Sequence, residues 1–298
     1  MSNPSVKAEA YEPESFWVAP ARNFRSSARL HLQHLLWQNT IGFLLEPRIQ
    51  NYIADVKQLK VADLACGNGV WLTDLDHQLS NKKVSAQLDG YDINDVNFPP
   101  PAFLPDMVKL NKLDVLSRPL PEELIGAYDI VHIRAFSSII FNCNTTPLLS
   151  TALAMLKPGG WLQWDEMGAD FVIEPPSPDI SKTACETIDR ILKAGGETHG
   201  MKREFLRELD RHVSENGFQE VHLQEDKNRK QDYKGWTEDF LMVWEDLASF
   251  FPSKADKPEA PVTKEFWVDL FAKAVKETEQ GVALFYRNMF TVVGRKPC

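Results

Sequence analysis

The sequence predicts an α/β fold built on a nucleotide-binding sheet, on three observations. A strand, a glycine turn and a helix follow one another without a break. The apolar run at residues 61–64 gives way to Ala65, Gly67 and Gly69, and a helical pattern resumes through Trp71, Leu72, Leu75 and Leu79. Two further apolar stretches end in acids, Asp92 after residues 86–91 and Asp114 within Leu113-Asp114-Val115. Two later blocks, residues 127–134 and 156–164, read as strands, the second entered through Lys157-Pro158-Gly159-Gly160.

Each element has a physical reason. Glycine lets the backbone approach a ligand closely, and the helix that follows offers free N–H groups. A dinucleotide site would want a third glycine three residues after Gly69, and Leu72 stands there instead. Asp92 is placed to accept both hydrogen bonds of a ribose diol. Asp114 is placed where an adenine amino group could be read.

These residues resemble the class I S-adenosylmethionine (SAM) methyltransferases. The family's motif, an acid followed by three alternate glycines, reads here Asp63-x-Ala65-x-Gly67-x-Gly69, with Ala65 as the departure. Residues 127–134 resemble the family's fourth strand, and Leu156-Lys157-Pro158-Gly159-Gly160 resembles its entry to the fifth. The resemblance implies a Rossmann-like seven-stranded sheet and SAM as cofactor. It places cofactor contacts at Asp63, Ala65, Gly67, Gly69 and Trp71, at Asp92 and Ile93, at Asp114 and Val115, and at Ile133 and Arg134. Asp63, buried beside the turn, would be costly without a partner, and the cofactor ammonium is the partner expected.

The chain ahead of the sheet sharpens the likeness. Residues 1–20 read as a mobile tail rich in Pro, Ser and Glu. Residues 21–57 read as a helical cover, with one helix over about 26–43 and a short one over 49–56. Arg29-Leu30-x-x-Gln33-His34, Gly42-Phe43-Leu44-Leu45 and Pro47-x-Ile49 resemble fungal methyltransferases of secondary metabolism. Gln163-Trp164-Asp165-Glu166 fits the same group, which has O-, N- and S-methylating members. Arg29 and Gln33 suit the cofactor's carboxylate, a surface ion pair being the alternative for Arg29. Because the fold binds cofactor without such a cover, deleting residues 1–45 is expected to abolish turnover and leave a folded sheet.

Residues 58–298 then form the SAM-binding domain. A helix over 179–194 is closed by Gly195-Gly196, a second helix covers 202–216, and a strand covers 218–224. A helical insertion at about 225–263 puts Trp236, Phe240 and Trp244 on one helix face, either core packing or the aromatic wall of a substrate pocket. A helix over 264–280 and an antiparallel strand over 288–295 finish the chain.

Composition narrows the partners. With 298 residues and 43% hydrophobic content, the chain fits one large domain, with or without a lid. No apolar run reaches the roughly 18 residues of a membrane span, and the first residues lack a signal peptide's basic and apolar regions. Cys66, Cys143, Cys185 and Cys298 have no paired spacing, so a reducing, cytoplasmic setting is expected, without disulfides. The net charge of −9 argues against a nucleic-acid partner. His31 and His34 have no third ligand with a matching pattern, so no metal is expected.

Methyl transfer from a sulfonium is an in-line displacement, governed by positioning and exclusion of water. A base is needed only for an acceptor with a high pKa. His132, Asp165 and Glu166 are the candidates, each with a packing, capping or ion-pair role as the alternative. His31, His34 and Trp37 on the covering helix, and Trp164 on the fifth strand, are candidates for the substrate pocket along with Trp236, Phe240 and Trp244. The function expected is methylation of a small, fairly apolar metabolite on oxygen, nitrogen or sulfur. Two alternatives are a SAM-binding regulator acting through protein partners and a SAM-fold enzyme catalysing a rearrangement.

Overall fold

The computed structural model describes residues 24–54 and 56–298. The expected tail at 1–20 lies outside the described residues, as do 21–23 of the expected cover. Helices α1 (Phe24–Ile41) and α2 (Pro47–Ile53) come first. α2 starts where the Glu46 carboxylate accepts a hydrogen bond from the Arg48 N–H at 2.7 Å, with Pro47 preset for the first turn. Strand β1 (Leu59–Leu64) leads through the glycine turn into α3 (Val70–Asn81), which buries Trp71, Leu72, Leu75 and Leu79 as the periodicity predicts. Then come β2 (Ala86–Asp92), β3 (Val108–Lys112), β4 (Tyr128–Arg134), α4 (Thr146–Met155) and β5 (Leu156–Met167). The last third holds β6 (Phe171–Glu174), α5 (Thr183–Thr198), α6 (Leu209–Glu215), β7 (Gln219–Lys227), α7 (Tyr233–Asp246), α8 (Lys264–Glu279), β8 (Ala283–Tyr286) and β9 (Asn288–Arg295).

The main sheet has seven strands in the order β3-β2-β1-β4-β5-β9-β7. β1 to β5 run parallel, and β9 lies antiparallel between β5 and β7. The strand order reverses between β1 and β4, so a crevice opens at their carboxyl ends, where ligands bind in sheets of this kind. α4 and α6 cover one face through Leu148, Leu149, Met155, Leu209 and Val213. α3 covers the other, with Leu44, Leu45 and Ile49 from the α1–α2 segment. A separate apolar cluster joins α5, α7 and α8 around Ile188, Trp244, Trp267 and Leu284, beside a β6–β8 ribbon.

The covering segment shares its core with the sheet. Trp37, Leu45 and Ile49 are fully buried, and the Gln163 side chain holds the chain by bonding Leu44 O and the Glu46 N–H. Each such apolar side chain is worth about 1.5–3 kcal/mol. Losing several at once would consume most of a typical stability of about 5–15 kcal/mol. Deleting residues 1–45, which removes Leu36, Trp37, Ile41, Leu44 and Leu45 from this packing, is therefore expected to destabilise the sheet as well as to abolish turnover, and chemical denaturation of the truncated protein checks it.

Three elements differ from the sequence pattern. α5 begins at Thr183 and runs through Gly195-Gly196 to Thr198. Gly196 is kept small by Met201, whose Cε lies 3.1 Å from where a Cβ would stand, and the stop falls at Gly200, with φ at +76°. The helix expected over 202–216 is a 3₁₀ turn, Glu204–Glu208, followed by the shorter α6. The β6–β8 ribbon was not anticipated, because its two strands have four residues each and pair across more than a hundred positions.

Candidate functional site

A cavity of about 1020 Å³ lies at the carboxyl ends of β1, β2 and β4, roofed by α1, α5 and α7. Its floor is the glycine turn. Ala65, Gly67 and Gly69 have φ values of 58°, 61° and 75°, so three alternate residues are left-handed. Ala65 takes this conformation despite its Cβ, which explains why the resembling family has glycine there. A Cβ on Gly67 would stand 3.0 Å from the Leu30 Cδ1 on α1, and one on Gly69 would stand 2.9 Å from Leu110. The turn is therefore tight against the covering helix.

Most of the expected cofactor residues line this cavity. Asp63, Ala65, Gly67 and Trp71 do so around the turn, with Asp92 and Ile93 after β2, and Arg29 and Gln33 on α1. Asp114, Val115 and Arg134 also line it, although β3 ends at Lys112 and Asp114 sits in the turn beyond. There Asp114 accepts from Leu116 N at 2.9 Å and Ser117 Oγ at 2.8 Å. Gly69 caps α3 against Leu110 and does not reach the cavity, while Ile133, alternating to the opposite face of β4, packs in the core.

Asp92 is pinned for its expected task. Its Oδ2 accepts from the Gly67 N–H at 2.9 Å and its Oδ1 from the Asn94 N–H at 3.0 Å. The carboxylate is thus fixed between the turn and the loop after β2. The turn, Asp92 and the α1 residues Arg29 and Gln33 line one cavity, a set that would suit a sulfur nucleoside. Asp92→Ala is expected to weaken S-adenosylhomocysteine binding by about 1.5–3 kcal/mol, the scale of hydrogen bonds to a charged group. Calorimetry showing unchanged affinity would place the ribose elsewhere.

Behind the turn runs a buried chain of charges. The parallel register sets His132 of β4 beside Asp63 of β1, and its ring bonds Asp63 Oδ1 through Nδ1 at 2.7 Å. The other nitrogen, Nε2, bonds Asp165 Oδ2 at 3.0 Å, and Trp71 stacks flat on the ring at 3.7 Å. Burial alone would lower the His132 pKa, but the two carboxylates outweigh it and hold the pKa above the usual value. Both ring nitrogens are engaged by carboxylates, which leaves neither free to face an acceptor.

The same geometry settles Asp165. It also accepts from Arg134 Nη2 at 3.0 Å and Thr291 Oγ1 at 2.9 Å, does not line the cavity, and has a pKa held low by His132 and Arg134 against its burial. Glu166 reaches the cavity, and burial raises its pKa, but four donors already occupy its carboxylate: Ser137 N and Oγ, Trp164 Nε1 and Met167 N. The three residues considered as bases are thus tied into the sheet.

The pocket candidates divide in the same way. His34 lines the cavity. Its Nε2 donates to Asp74 Oδ2 at 2.8 Å, and its Nδ1 accepts from Arg134 at 3.1 Å. Burial, then Arg134, lowers its pKa to about 4, so it is neutral near pH 7. Phe240 and Trp244 also line the cavity. Four others do not. His31 is exposed, bonding Ser27 O and Asn68 beside the turn. Trp37 lies under the Arg134 guanidinium, 5.0 Å from ring centre to Cζ. Trp164 alternates to the opposite sheet face against Phe205, and Trp236 packs with Leu36, Met167 and Phe285. Among the described residues no cluster of three His, Cys, Asp or Glu side chains could hold a metal ion.

Several cavity residues escaped the sequence reading, among them Phe171, Tyr286, Arg203 and Asp239. Arg203 lines the cavity with its guanidinium 4.7 Å above the Tyr286 ring. Asp239 is fully buried on α7, and its signal was there: an acid on the apolar stripe of Trp236, Phe240 and Val243.

No family model matches the chain. In sequence it is similar to the methyltransferase grgD of a Penicillium species, 28% identical over 66% of each chain. It is also similar to the N-methyltransferases tcpN of Claviceps purpurea and verN of Clonostachys rogersoniana. The first is 29% identical over 49% of this chain and 50% of its own length. The second is 30% identical over 53% of each. The chain thus matches between half and 66% of the length of these curated relatives. Among solved structures it has a distant likeness to the Haemonchus contortus phosphoethanolamine N-methyltransferase 2 bound to S-adenosyl-L-methionine. The TM-score is 0.47 at 13% identity, covering 95% of this chain and 60% of that one. In strand order, glycine turn and acidic strand ends the chain has a class I methyltransferase type of fold, and in sequence it resembles the fungal methyltransferases.

Proposed function

We propose that this protein transfers the methyl group of SAM to a small, largely apolar metabolite at an amine nitrogen, a thiol or a phenol, within secondary metabolism. One observation carries the reading: a single cavity of about 1020 Å³ joins the cofactor residues to an aromatic half around Phe171, Phe240, Trp244 and Tyr286. Pockets for one small ligand commonly occupy about 300–1,000 Å³, so there is room for a cofactor and an acceptor together.

Bound SAM would supply an electrophilic methyl on a sulfonium. The chain's own residues would orient the two molecules and keep water out. The apolar walls suit exclusion of water, and the rigid turn and Asp92 suit orientation. His132, Asp165 and Glu166 are all committed to other partners, which favours an acceptor whose lone pair is accessible near neutral pH over an aliphatic alcohol. The names of two relatives, both N-methyltransferases, support nitrogen within this set.

The test is release of S-adenosylhomocysteine from SAM with a panel of apolar amines, thiols, phenols and aliphatic alcohols. Turnover is expected with one of the first three classes and not with the alcohols. Turnover with alcohols alone would overturn the acceptor assignment. Tight SAM binding without turnover across extracts and panel would favour a SAM-binding regulator.

A further inference from the structure

We infer that Asp239 binds the ammonium at the amino-acid end of the cofactor and completes, with Arg29 and Gln33, a clamp for an α-amino-acid zwitterion. This rests on SAM being the molecule held at the glycine turn.

Three observations carry it. The first is composition. Gln33 Nε2 donates to Asp239 Oδ2 at 3.4 Å, and Arg29 Nη1 stands 3.7 Å from Oδ1, so a guanidinium, an amide and a carboxylate meet at one point of the cavity wall. A zwitterion needs that set: donors for its carboxylate and an anion for its ammonium.

The second is an unfilled atom. Asp239 is fully buried, and among the described residues no donor lies within hydrogen-bond distance of its Oδ1. A buried carboxylate oxygen left so is costly, and an apolar residue at this place on the α7 stripe would avoid that cost. Burial pushes the carboxyl up to about 6 against the pull of Arg29, so one cation at ion-pair distance does not offset the desolvation. An ammonium would bring both a second positive charge and the missing donor.

The third is place. Leu30, between Arg29 and Gln33 on α1, rests on Gly67, and Gly67 donates its N–H to Asp92. The cluster therefore stands beside the turn, near the acid expected to hold the ribose. Asp63, the acid expected to meet the ammonium, has Oδ1 committed to His132. Because Asp239 rides on α7 and its two partners on α1, the clamp would draw both roof helices onto the cofactor.

The test is calorimetry of three probes: S-adenosylhomocysteine, its decarboxylated analogue S-adenosyl-3-thiopropylamine, and 5′-methylthioadenosine, which has neither amine nor carboxylate. Asp239→Asn is expected to weaken the two amine-bearing probes about ten- to a hundredfold and to leave 5′-methylthioadenosine within about twofold. Asp239→Glu, which keeps the charge, should recover part of the preference for amines. Equal loss for all three probes would show that Asp239 only shapes the fold. Undiminished S-adenosylhomocysteine binding by Asp239→Asn would overturn the clamp outright. If Asp239→Asn fails to fold, Asp239→Glu decides: binding the amines no better than 5′-methylthioadenosine sinks the inference, and a retained preference supports it. If wild-type protein binds none of the three, the SAM reading itself fails.

Discussion

His132→Ala is expected to destabilise the protein by about 3–5 kcal/mol, the cost of removing one member of a buried charged set. The ring is fully buried and bridges Asp63 on β1 and Asp165 on β5, so its loss leaves two buried carboxylates with one partner fewer. Arg134 and Thr291 still hold Asp165, but among the described residues no other hydrogen bond holds Asp63 Oδ1. It also removes the surface on which Trp71 stacks. Chemical denaturation of wild type and variant measures this directly. A variant of unchanged stability whose methyl transfer alone is lost would restore His132 as a base. The pH dependence has a definite sign. Because the folded-state pKa of His132 is raised, its contribution is complete below the unfolded value of about 6.5 and is lost as pH rises through the raised folded value.

Trp236→Ala should cost about 3–5 kcal/mol of stability, the range for removing a large aromatic from a packed core. The side chain is 1% exposed and packs with Leu36, Met167, Phe285 and Met289. Its Nε1 donates to Asn228 Oδ1 at 3.0 Å, and that oxygen also accepts from Thr40, so the substitution loosens the join between α1 and α7. Near-native stability with selectively weakened acceptor binding would return Trp236 to the pocket wall.

The contrast with Phe240 and Trp244 shows where a helical pattern stops being informative. All three aromatics share one stripe of α7, as i, i+4, i+8 spacing requires. The stripe spans three surroundings: α1 and β8 at its start, the cavity in the middle, and the α5–α8 cluster at its end. A stripe says that a face is covered. It does not say by what, and so core packing and pocket wall stayed open for all three, where the structure sets Trp236 in the core and Phe240 and Trp244 on the cavity.

Local chemistry by itself determined the parallel core of the sheet, the glycine turn and the acids at the strand ends. An apolar strand, left-handed positions and a helix start lie within a dozen residues, and no distant partner is needed to specify them. The pairing of His132 with Asp63 and Asp165 was decided only by tertiary structure, because parallel register brings together residues 69 and 33 positions apart. The same holds for the β6–β8 ribbon and for Asp239, which meets Arg29 and Gln33 across more than two hundred residues. The role of an ionisable side chain depends on which charges surround it once buried. Those neighbours come from other strands and helices, so sequence could nominate His132, Asp165 and Glu166, and only the packed sheet shows which partners each one holds.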